Sequence, residues 1–417
     1  MLRRAKTVPP ARRSWFRPRN IVLLIAFVNL VWLGISFLRI TTLQPGRPGK
    51  YNAELLKLVE DAQSDSAGQP NSWNSFIEAT NLFRDTYHPL IDLPKPEGWR
   101  RIFSWPPSPE EASMPEAGDR ELAEFRKVIK LHQDAGLYKR LDELALAKRF
   151  VSPIPSGKPI EIGQQWLGDS RGIARLCRAR MHFAALDNDQ TEFVRAAAHA
   201  LAIADICKAQ AMVIDQLVGG AIDALVFASI REGARDNALS QHTCRELLAL
   251  LSSRGKKLDV FRGIDAERLW TRDVVEWTHS DDGNGDGRHL PVSTDPGGSF
   301  APSSKPPPRF NIENLASIGK PTKKQTTQAL DEFYAVSRKL AHATLRERAT
   351  MQTPAQYLDT LPKKFVVVKV LGPSLERYIK VADRIELELA GTRITLALEL
   401  HNMSHSGYPL SLSVLDP

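Results

Sequence analysis

The chain has 417 residues, 25% of them charged, and a formal net charge of +8. Seven of those positive charges (Arg3, Arg4, Lys6, Arg12, Arg13, Arg17 and Arg19) lie in the first nineteen residues, with no acid among them. The remainder is close to neutral and offers no basic face of the kind that nucleic acid needs, so no nucleic-acid partner is expected.

The basic tail, residues 1–20, runs into Ile21–Leu38, IVLLIAFVNLVWLGISFL, which Ile40 extends. A helix crossing the hydrocarbon core needs about 20 mostly apolar residues. Only Asn29 and Ser36 are polar here, and neither is charged. Residues 21–40 therefore read as a transmembrane anchor with membrane lipid as its partner. Lys and Arg resist translocation, which keeps the N-terminus in the cytoplasm and sends the C-terminal body out. A cleaved signal peptide has a shorter apolar core and small residues at its cleavage site. Here the bulky run Ser36-Phe37-Leu38-Arg39 follows instead, which favours an uncleaved, single-pass signal anchor in a bacterial inner membrane.

Residues 41–117 read as a tether and a Pro-rich wrap with short helices. Pro45, Gly46 and Pro48 mark the tether, Asn52–Gln63 is amphipathic, and Ser72–Tyr87 carries Trp73, Phe76, Ile77 and Phe83 on one side. Pro89–Pro115 holds seven prolines, which remove backbone donors and favour an extended path. Residues 118–280 read as a helical core. Leu122, Phe125, Val128, Ile129 and Leu131 recur at helical spacing within Glu116–Ala147. From Gly168 to Ser253 four Ala-rich helices follow, the first capped by Asp169 or Ser170, with breaks such as Asp187-Asn188-Asp189. Such short-turned helices resemble tetratricopeptide-like hairpins, but no 34-residue repeat is in register, so an irregular helical array is expected. Val260–Ser280 adds a helix with Leu269, Trp270, Val274 and Trp277 inward.

Residues 281–309, rich in Gly, Pro, Ser and Asp, read as loop. Residues 310–417 read as a C-terminal helical segment, with helix from about Gln325 to Met351. Lys364–Gly372, KFVVVKVLG, is the best strand candidate, a minor β element near 364–371. Ile385, Leu387, Leu389, Ile394, Leu396, Leu398 and Leu400 alternate like a hairpin turning at Ala390-Gly391, but the abundance of Ala, Leu, Glu and Arg predicts helix.

Two constellations could carry chemistry. Asp282, Asn284, Asp286 and Gly287 follow the first half of a calcium loop, with the Arg288 carbonyl as the next ligand. Where a bidentate Glu belongs stands Ser293, and Asp295 comes two places late. The alternative is an acidic, Gly-rich turn closing the preceding helix. His401 and His405, four apart, could share a metal, but Asn402 stands where a zincin carries Glu. Cys177, Cys207 and Cys244 all lie in apolar helical patterns and read as buried thiols, with a Cys177–Cys207 bridge as the lesser alternative. Phosphate-loop, dinucleotide, nucleophile-elbow and CxxC patterns do not occur, so no catalytic or cofactor-binding residues are assigned.

The basic-then-apolar start, the stretch Ile214-Asp215-Gln216-Leu217-Val218, the Asp281–Arg288 loop and the ending Leu398–Leu412 together resemble membrane-anchored proteins of planctomycete-type bacteria. That resemblance implies no activity and carries over no catalytic residue. The helix followed by Gly407-Tyr408-Pro409 also looks like a segment of type II secretion pseudopilins. There it follows an N-terminal apolar helix with a Glu near its start, and Ile21–Leu38 has none. The expected function is structural or interaction-based, as a scaffold or in envelope assembly with a protein partner. The alternatives are an extracytoplasmic metal-dependent hydrolase and a secretion-apparatus accessory protein.

Overall fold

The computed structural model describes residues 18–44, 46, 49–91, 119–154, 165–254, 257–281, 286–290, 318–372 and 375–414. Among these the chain is mainly helical. They form no strand, only isolated antiparallel bridges between His279 and His289 and between Arg288 and Thr322. The helices are α1 (Pro18–Thr41), α2 (Asn52–Asp61), α3 (Trp73–Ile91), α4 (Asp119–Asp134), α5 (Leu137–Leu146), α6 (Gln165–Leu186), α7 (Gln190–Ala209) and α8 (Val213–Arg235). There follow α9 (Gln241–Arg254), α10 (Val260–Thr278), α11 (Lys323–His342), α12 (Leu345–Arg348), α13 (Pro354–Thr360), α14 (Val366–Leu371) and α15 (Leu375–His405).

The chain divides into two compact units: residues 1–46 with 276–324, and residues 47–275 with 325–417. The larger unit is built on α6, α7 and α8, which pack on one another. Their contacts are small: Ala174, Ala196, Ala197, Ala200 and Ala204 are all buried. Gly219 allows the closest approach of α7 and α8, since a Cβ there would lie 2.7 Å from the Ala204 carbonyl oxygen. α3 and α5 pack on α6 and α7, while α15 lies along α8. Arg231 of α8 donates to Thr392 Oγ1 at 2.7 Å and Glu388 Oε2 at 2.6 Å, and Tyr378 OH donates to Gln216 Oε1 at 2.8 Å.

α8 is long and apolar enough to cross a membrane, yet 72% of its apolar window is buried inside the protein. It has the character of a core helix.

In the smaller unit, Gly46 N donates to His279 O at 3.0 Å, and Lys323 N donates to Gly287 O at 2.7 Å. A Cβ on Gly287 would stand 1.7 Å from Ser280 O, so only glycine permits the approach there. Lys323 pairs with Glu276.

Several boundaries differ from the sequence reading. Lys364–Gly372 is not a strand. Lys369 N donates to Phe365 O at 3.1 Å and Gly372 N to Val368 O at 3.0 Å, so the segment closes its own helical turns as α14. β-propensity is context-dependent, and no described strand stands beside these valines to pair with them. Asp169 and Ser170 do not cap α6, which begins at Gln165; Ser170 Oγ instead donates to Trp166 O at 2.7 Å, within the helix. The helical stretch Glu116–Ala147 is broken at Gly136 into α4 and α5. The Pro-rich wrap lies outside the described residues from residue 92 to 118, while Pro89 still belongs to α3.

Candidate functional site

The larger unit contains a cavity of about 240 Å³. One side is formed by Leu55 and Val59 of α2, and another by Trp73 and Ile77 of α3 with Trp166 of α6. Trp73, Phe76 and Trp166 form an aromatic cluster. The two indoles meet edge-on at 5.4 Å, and Phe76 lies 5.2 Å from Trp73 and 5.6 Å from Trp166. The third side is Ser152-Pro153-Ile154, a stretch without regular secondary structure. Side-chain amides fix that segment. Asn71 accepts from Val151 N at 3.0 Å and donates to Val151 O at 2.9 Å, while Gln63 and Gln210 both donate to Phe150 O. The amides serve as the missing partner strand and satisfy backbone groups that burial would otherwise strand.

The floor is the turn into α8, Ala211 and Met212, with Asp215 on the first turn of the helix. Among the described residues lining the cavity, Asp215 is the ionisable one. It is only 5% exposed, and its Oδ1 has no hydrogen-bond partner among the described residues. An acid near a helix N-terminus is favoured by the helix dipole. Burial dominates, however, and pushes the carboxyl up to about 8, against a backbone hydrogen bond from Met212 that lowers it. Glu267 of α10 adds repulsion. Burial also raises Glu267 itself, to about 7, against a hydrogen bond from the Val213 backbone. Burial thus favours the protonated form of the carboxyl that lines this apolar, aromatic space.

Two further polar clusters are buried in the same unit. Arg180 donates to Glu192 at 2.7 Å and meets His199 Nδ1 at 3.0 Å, and His199 Nε2 lies 2.7 Å from Asp142. A guanidinium can only donate, so Nδ1 accepts and the ring proton sits on Nε2, toward Asp142. The guanidinium also stacks 3.7 Å from the Tyr138 ring centroid. Burial, then the Arg180 charge, lowers His199 to about 4. The second cluster is Lys208, 2.7 Å from Asp223 and 3.0 Å from Asp205. Burial opposes the ammonium, but the two carboxylates outweigh it and raise its pKa. Burial lifts Asp223 to about 7. Neither cluster lines the cavity. Both tie helices together.

Of the candidate site residues singled out in sequence, none of those described lines the cavity. Asp282 and Asn284 lie outside the described residues. Asp286 and Arg288 belong to the smaller unit, where Ser280 N donates to Arg288 O at 2.9 Å and Arg288 N donates to Ser280 Oγ at 2.8 Å. The carbonyl offered to calcium thus already accepts a backbone bond. His401 and His405 stack at 4.2 Å, but their Nδ1 atoms engage Gly407 O at 3.0 Å and His401 O at 3.1 Å. Among the described residues no three His, Cys, Asp or Glu side chains gather as a metal centre would need. Cys177, Cys207 and Cys244 are free and buried, as their apolar setting predicts. The sequence reading did not weigh Asp215 as a site residue. Its signal is an acid, with Asp223, inside the most apolar helix of the body, where a charged side chain needs a reason. Comparison with known proteins returns no matching family, no matching curated protein and no matching solved structure.

Proposed function

We propose that the chain is a single-pass membrane protein whose helical body acts outside the cytoplasm by binding rather than by catalysis, as a scaffold or in assembly of a bacterial envelope. One observation carries the membrane half of this reading. Along α1, Leu30, Trp32 and Leu33 are 69%, 65% and 58% exposed, and Val31, Ile35, Phe37 and Leu38 are exposed beside them. A run of large apolar side chains facing outward on one helix is costly in water and at home in lipid. At about 1.5 Å per residue, a helix of 24 residues is long enough for the hydrocarbon core. The arginines before it favour a cytoplasmic N-terminus. Kinship with planctomycete-type anchored proteins forms part of the same proposal. Binding is favoured over hydrolysis because the paired histidines spend a ring nitrogen each on their own helix end, and the cavity lining among the described residues offers one ionisable group without a nucleophile–base pair.

The test is a reporter fused after Pro417, in one version a phosphatase that folds only outside the cytosol and in another a fluorescent protein that folds only inside it. Phosphatase activity with membrane retention after an alkaline wash is the expected result. Fluorescence without phosphatase activity would reverse the assignment of compartment, and release by the wash would remove the anchor.

A further inference from the structure

We propose that the cavity bounded by Trp73, Trp166, Met212 and Asp215 binds a small organic ammonium ion, with its apolar body against the aromatic wall and its nitrogen paired with the Asp215 carboxylate. This stands apart from the membrane reading, because every residue used belongs to the larger unit.

Three features converge. The space, about 240 Å³, is lined mainly by apolar and aromatic side chains with few polar groups, the usual make-up of a small-molecule site at the scale of a single-ring ligand. Two indoles stand at its side, and indole is the strongest of the aromatic partners for a cation. The third feature is Asp215. A buried oxygen without a partner is expensive, and Oδ1 is such an oxygen, on a side chain that lines the cavity. Nothing described in the protein neutralises this carboxyl by an ion pair; its one charged neighbour of note is another acid, Glu267.

The sign of the ligand follows. An anion would find no positive partner among the described residues lining the cavity, and whatever fraction of Asp215 and Glu267 is ionised would repel it. A neutral ligand would leave the acid as it is, with no ionic gain. An ammonium brings the missing positive charge and the missing donor together, in a space where low dielectric strengthens the pair. A bare metal ion would find no group of three His, Cys, Asp or Glu side chains among the described residues. Pairing requires the ionised carboxyl, whose proton is otherwise held by burial. Binding at neutral pH must therefore release a proton from Asp215.

The experiment is calorimetry on the full chain in detergent with three probes of one shape: 2-phenylethylammonium, 2-phenylethanol and phenylacetate. The ammonium should bind about tenfold or more tighter than the alcohol, the worth of a buried charge-assisted hydrogen bond, and phenylacetate should not bind. The observed heat for the ammonium should change with the ionisation enthalpy of the buffer, reporting the released proton. Asp215→Asn should bring the ammonium down to the affinity of the alcohol, and Asp215→Glu should keep part of the preference. Equal affinity for ammonium and alcohol, preference for phenylacetate, an unchanged preference in Asp215→Asn, or no heat from any probe at millimolar concentration would each overturn the proposal. The three-probe comparison on the unmodified chain decides the matter even if a variant does not fold.

Discussion

Lys208 is an ammonium enclosed by two carboxylates, 2% exposed, with Gly219 pressed against its stem. Removing one partner of such a buried group leaves the others uncompensated, at a cost of about 3–5 kcal/mol. Lys208→Met should therefore lower the midpoint of chemical unfolding far more than Lys257→Met, whose partner Glu386 is solvent-exposed and whose pair is worth about 1 kcal/mol or less. Gly219→Ala should cost about 1–3 kcal/mol by overpacking, since its methyl would meet Lys208 Cγ at 2.6 Å. His199 gives a pH effect with a definite sign. Its folded pKa, about 4, is below the ordinary histidine value of 6.5, so the unfolded chain binds the extra proton between those limits. The stability it supplies is complete above pH 6.5 and falls as the pH drops toward 4, by about 3 kcal/mol at most. Unfolding midpoints measured from pH 7 to 4.5 should decline, and His199→Gln should flatten that decline. None of these charges could be weighed from sequence, because Arg180, His199 and Asp142 sit on three helices that only packing brings together. The thiols were legible, since an apolar helical setting is a local property.

At the scale of elements, periodicity served where it was long and failed where it was short. Over α15 the alternating apolar residues admitted a hairpin, which would turn Leu387 and Ile394 inward with their neighbours. They are instead 67% and 42% exposed, while Tyr378, Ile379, Ala382, Ile385 and Leu396 form the buried stripe of a 31-residue helix. The choice of helix there rested on propensity summed over many residues. Over α14 only six residues are involved, and the valine-rich composition pointed to a strand that the tertiary setting does not provide. Short helices also depend more on their caps. α13 begins with a reciprocal box in which Thr353 accepts from Gln356 N and Gln356 reaches back to Thr353 N at 2.9 Å. Thr353→Ala should cost about 1 kcal/mol, measured by chemical unfolding of the full chain.

For the molecule as a whole, the sequence conveyed a helical body and an apolar N-terminal segment, because composition and charge asymmetry are properties of long windows. The cavity was not legible: its walls come from α2, α3, α6, α8 and an irregular segment that three side-chain amides hold in place. The calcium loop was legible as a motif; Asp282 and Asn284 lie outside the described residues, and in the described part both main-chain groups of Arg288 engage Ser280. Calcium titration of the full chain is expected to give no saturable heat at millimolar ion. A saturable isotherm that Asp286→Asn abolishes would establish the calcium reading.

The three cysteines sit at 0% exposure on α6, α7 and α9, and burial raises Cys177 and Cys244 to about 11 and Cys207 higher still. A thiol that is both shielded and protonated does not react, because the thiolate is the nucleophile. The chain thus carries its own unfolding clock: each alkylation event by a maleimide or a disulfide dye records an opening of the helix that hides the sulfur. Labelling rates at the three positions, followed by mass spectrometry, would reveal whether those helices open together or one at a time, with no engineered probe.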